Sequence, residues 1–190
     1  MLLHFIFVVK EEDREKRQFD FEYIKKMSQF YKVWIKEKFG KDFEVQCDEL
    51  ITKPRSILQK LDTHVLLRDH DQRGKEIYHF YLTHFRPFWT DCTCEGYHAE
   101  NFGMVFWMPM QESNDSLFLA EKNCTTVSHE LLHELLRMSG HKKYREEVHD
   151  IWTKHLFEQL EFEQYGEDFK KTDDKPMFLT MDTSELNLKN

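Results

Sequence analysis

Apolar residues fill nearly every position from Leu2 to Val9, and an unbroken run of that length predicts a strand buried on both faces. The run is far too short to span a bilayer, and neither a basic stretch before it nor a small-residue cleavage site after it marks a signal peptide. A solvated charge run, "EEDREKR", follows. From Phe19 to Phe39 the apolar positions (Phe21, Ile24, Met27, Phe30 or Tyr31, Trp34, Ile35) recur at helical spacing, and Gly40 stands where a helix ends. "DFEVQCDEL" alternates Phe43, Val45 and Cys47 as a half-buried strand does. Pro54 opens a short helix to about Leu61.

Two further strands are expected, "EIYHFYLTHF" and "NFGMVFWMP", the second stopped by Pro109. "RPFWTDCTCEGYH" between them reads as a loop. "MQESNDSLFLAEKN" leads into a helix carrying "HELLHELL", and a second strong helix runs from Tyr144 to about Tyr165. The expected fold class is α+β: a twisted, mostly antiparallel or mixed sheet, followed by two helices packed antiparallel. One domain spans residues 1–165, and residues 166–190 form a tail that is loose or wraps the surface.

Composition narrows the function. The 190 residues include 40% hydrophobic and 15% aromatic positions, enough for one well-buried core. A net charge of −8 argues against a sequence-independent grip on nucleic-acid phosphates, and no segment predicts a membrane partner. The four cysteines (Cys47, Cys92, Cys94, Cys124) are unevenly spaced and read as reduced thiols, so the expected compartment is the cytoplasm.

The chemistry lies in His129-Glu130-Leu131-Leu132-His133, an HExxH pattern. Four-residue spacing puts two imidazoles on one helix face, one turn apart, where both reach a single zinc ion. Glu130, on the adjoining face, is placed to act as general base and then acid in peptide-bond hydrolysis. Leu131, Leu132, Leu135 and Met138 fall on the far side with Val127, so one face is expected to be buried and the other to open into a cleft.

A hydrolytic zinc takes three protein ligands. From His133 to Gly140 a helix climbs ~10 Å, so His141 would have to reach back over more than a turn. If the chain reverses at Gly140-His141, about seven residues of descent bring His149 back to the level of His133. His149 also borders the stripe of Val148, Trp152, Leu156 and Leu160, whereas His155 lands too deep and Glu146 and Glu147 come too early. His129, His133 and His149 are therefore the expected zinc ligands, with His141 or a glutamate as the alternatives for the third.

"HELLHELL" on a helix after a strand resembles the zincin superfamily of metallopeptidases. It departs from metzincins, with Leu136 at their glycine and Ser139 at their third histidine. The interval from His133 to His149, followed by Trp152, is closer to SprT-like proteases, although Asp150 stands where their glycine follows the third histidine. Gluzincins share the same two-helix logic. The resemblance covers about thirty residues and implies a zincin-like fold, one catalytic Zn2+, a peptide or protein substrate, and an active-site helix beside an edge strand to which the substrate adds. "NFGMVFW" is the expected edge.

Cys92, Cys94 and His98 form a weaker second metal candidate, while Asp91, Glu95 and Tyr97 are candidate cleft residues. Tyr144, Arg145, His155 and Tyr165 are candidates for stabilising an oxyanion. The rival expectation is a non-catalytic zincin-fold binding or regulatory protein, with a structural zinc or a cleft occluded by the tail around Pro176–Leu179.

Overall fold

The computed structural model describes residues 1–52, 77–84, 96–98, 102–110, 116–138, 140–143, 145, 146 and 148. Strand β1 (Leu2–Lys10) is followed by two 3₁₀ turns and helix α1 (Gln18–Phe39). Strands β2 (Glu44–Thr52), β3 (Ile77–Thr83), β4 (Gly96–His98) and β5 (Phe102–Phe106) then precede helix α2 (Ser116–Met138). The strand order is β2-β1-β3-β5-β4.

This topology corrects the expected sheet. β1 pairs parallel with both β2 and β3, and β3 pairs parallel with β5; only β4 runs antiparallel, against β5. The cause lies in the connections. α1 carries the chain back to the end where β1 began, so β2 must run the same way, whereas β4 and β5 are too close in sequence for the crossover that a parallel pair needs. The continuous apolar run of β1 fits its central place between two parallel neighbours.

The edge needs correcting too. "NFGMVFW" holds the inner strand β5, and among the described strands the outer one is β4, drawn from the segment expected to be a loop. Gly103 lets β5 lie under two rings, because a Cβ there would meet the Phe80 ring at 2.6 Å and the Tyr78 hydroxyl at 2.9 Å. The short helix expected from Pro54 lies outside the described residues, as does the tail.

α1 and α2 share one face of the sheet. Leu3, Phe5, Phe7 and Val9 of β1 alternate into that layer and meet Ile24, Tyr31 and Ile35 of α1 and Val127, Leu131 and Leu135 of α2. Ile6, Val8, Tyr81, Met104 and Phe106 form a second buried cluster on the opposite face. α1 ends on Gly40 in the left-handed conformation (φ 63°), its amide donating to Lys36 O as the pattern predicted.

Polar contacts fix the helices in place. The buried Tyr31 hydroxyl donates to Cys124 O at 3.0 Å and lies 2.7 Å from Ser128 Oγ, joining α1 to α2. Tyr31→Phe is expected to cost about 1 kcal/mol of unfolding free energy in urea titrations, since the ring still fills its space while α2 loses the shared hydroxyl. After β5, Asn123 of α2 clasps the backbone of Met108 on both sides, at 2.7 and 2.9 Å. Asp20 Oδ1 of α1 accepts from Trp107 Nε1 at 2.9 Å and from Met110 N at 2.8 Å. The segment entering α2 is thus held by both helices.

Candidate metal centre on α2

α2 is amphipathic: leucines at 131, 132, 135 and 136 face the core while the HExxH residues run along another side. It ends as the sequence suggested. Gly140 takes a left-handed φ of 83°, its amide donates to Arg137 O, and the amide of His141 donates to Leu136 O, the two bonds of a Schellman turn.

The two histidines converge. Nε2 of His129 and Nε2 of His133 lie 3.2 Å apart, with the rings edge to face at 80°. Two nitrogens bound to one tetrahedral zinc at 2.0–2.1 Å stand about 3.3–3.4 Å apart. The donor atoms therefore fit a shared metal ion, and imidazole is a suitable ligand type for zinc. His133 is buried and His129 half-buried.

Glu130 is 7% exposed and packs beneath β4. A Cβ on Gly96 would lie 2.5 Å from Glu130 Oε1, so any larger residue there would have to push this carboxyl aside. Burial pushes the carboxyl up to about 8, because its charged form is deprived of water. The expected open face is accordingly corrected: β4 covers Glu130 and His133, and the half-buried His129 is the more open member of the motif.

Sequence reasoning missed a second contact of β4. His98 Nε2 lies 3.0 Å from Oε2 of Glu134, and Arg137 donates to both oxygens of the same carboxylate, from Nε at 2.8 Å and from Nη2 at 2.6 Å. His98 therefore turns to the helix, with its ring 5.5 Å from that of His133. The signal was present in "HELLHE", where Glu134 follows Glu130 by one helical turn on the same face.

His149, the expected third ligand, lies outside the described residues, as do Cys92, Cys94, Asp91, Glu95, Tyr144, Glu147, His155 and Tyr165. So does the side chain of Tyr97. Arg145 and Glu146 are exposed and helical, and Val148 is buried in the helix-side core. Among the described residues no group of three His, Cys, Asp or Glu side chains forms a metal cage. No described helix is long and apolar enough to cross a membrane. Comparison with protein families, with curated proteins and with solved structures finds no match to this chain.

Proposed function

We propose that this chain is a zinc-dependent metallopeptidase acting on a peptide or protein substrate in the cytoplasm. The observation that carries the reading is the convergence of His129 and His133 Nε2 at 3.2 Å beside the buried carboxyl of Glu130. His129 and His133 would hold the ion, with His149 completing the set. A bound zinc would supply Lewis acidity toward the scissile carbonyl. Glu130 takes a proton from the attacking water on one carboxyl oxygen and returns it to the departing amine. Its seat under β4 suits that exchange, since a dry carboxyl holds a proton more tightly than one in water. The uneven cysteine spacing supports the cytoplasmic placement.

The cover that β4 lays over Glu130 favours a second reading, a non-catalytic protein with a structural zinc or an occluded cleft. One experiment separates the two. Protein prepared with zinc present is assayed for metal content and for cleavage of a mixed peptide library, before and after chelation. The peptidase reading expects one zinc per chain and cleavage that chelation removes and zinc restores. His133→Ala is expected to lose stoichiometric zinc. A chain that takes up no zinc ends the peptidase reading and the structural-zinc form of the second, while zinc uptake with no cleavage, and unfolding on chelation, establishes the structural-zinc form.

A further inference from the structure

Glu134 is the most heavily engaged polar side chain near the two histidines. It is 2% exposed and meets three ring or guanidinium nitrogens, two from Arg137 on its own helix and one from His98 on β4. β4 is only three residues long and has one partner among the described strands, β5. So short an edge gains few ladder bonds, and among the described residues side-chain contacts seat it on the helix.

The spacing of those contacts is matched. Residues 96 and 98 point to the same face of β4, about 6.6 Å apart along the strand. Residues 130 and 134 lie on the same face of α2, separated by about 6 Å of rise. Gly96 sits on Glu130 and His98 on Glu134, so two steps of strand meet one turn of helix. A slip of β4 by one residue would bring a residue with a side chain onto the Glu130 carboxyl, which a Cβ would displace from its place. Arg137 holds Glu134 from the other side by a paired, planar contact that fixes the carboxylate's orientation.

We propose that Glu134 is a positioning residue for Glu130: by gripping His98 it locks β4 in the register that seats Gly96 on the Glu130 carboxyl. This rests on the peptidase reading for its catalytic meaning. The clamp itself is a property of the fold and is tested independently of activity.

The test uses the full chain prepared with zinc, comparing wild type with Glu134→Ala and Glu134→Gln. The glutamine oxygen still accepts from the His98 ring, so Glu134→Gln is the conservative rescue. Hydrogen exchange is followed by mass spectrometry over peptides covering β4 and β1, alongside zinc content and peptide hydrolysis. In Glu134→Ala, exchange in β4 is expected to quicken at least tenfold with β1 unchanged. Zinc stays at one per chain, kcat falls tenfold or more, and KM stays within twofold. Glu134→Gln is expected to recover most of the β4 protection and of kcat. His98→Phe keeps a ring stacked on Tyr78 but lacks the hydrogen bond, and it should reproduce the alanine variant; it carries the comparison if Glu134→Ala fails to fold. Unchanged β4 exchange in Glu134→Ala and His98→Phe overturns the proposal. So does equal loss of protection in β1, which would make Glu134 a general support of the fold. If the wild type cleaves no peptide, the peptidase reading falls, and the exchange comparison still decides whether the clamp exists.

Discussion

Glu130→Gln is expected to lower peptide hydrolysis by about 10²–10⁴-fold while the chain still binds zinc, because the amide keeps the shape of the side chain but cannot carry a proton between water and amine. Single-turnover cleavage and metal analysis check this, and full activity in the zinc-bound variant would remove Glu130 from its assigned role. The same substitution has an opposite effect on the metal-free fold. Burial raises the carboxyl from its ordinary 4.5 to about 8, so the folded state binds a proton that the unfolded chain has already released across that window. Wild-type stability therefore falls as pH climbs from 4.5 toward 8, and the glutamine variant, which does not titrate, escapes the loss. At the top of the window the variant is expected to be the more stable by roughly 4 kcal/mol, from the standard conversion of a pKa shift to free energy. Urea titrations of the chelated proteins at pH 5 and pH 8 measure it.

Asp20→Ala is expected to cost about 3 kcal/mol, the largest loss of stability among the single changes considered for the fold. Its Oδ1 takes both Trp107 Nε1–H and the Met110 amide, and removing it leaves two buried donors unanswered at roughly 1–3 kcal/mol each, partly offset by no longer burying a carboxylate. Asp20→Asn keeps an acceptor and should cost less. Burial is the main influence on this carboxyl and raises it above its ordinary 3.8, against the pull of Met110 and Trp107. Its charged form is therefore the costlier one in the fold, and the penalty of Asp20→Asn relative to wild type should shrink as pH rises through that range. Denaturation midpoints at pH 4 and pH 7 decide it; a penalty that grows with pH would contradict the assignment.

How legible these features were depends on the range of the forces behind them. The span of α1, its stop at Gly40, the leucine face of α2 and the turn at Gly140 all follow from patterns local to a few residues, and all could be read directly. Strand direction is not set by local patterns, although β1 carries one clue to it, since burial on both faces is itself a mark of parallel neighbours. β4 could not be read because three residues show no period, and Gly96 suggests a turn until Glu130 is seen beneath it. "NFGMVFW" reads as an edge from sequence because nothing local announces a partner on its far side. The convergence of His129 and His133 follows from their four-residue spacing on one helix. Glu134 was passed over because its partner, His98, lies 36 residues away in sequence.

The place of β1 also bears on how the chain comes to fold at all. Leu2 pairs with Glu44 on one side and with Ile77 on the other, so the most apolar stretch near the start of the sequence completes its pairing only after long loops have closed. Contacts so distant in sequence make for slow folding. Meanwhile "LLHFIFVV" is an uncovered, strand-forming segment of the sort that associates between chains. Cooler, slower synthesis should therefore raise the yield of soluble protein.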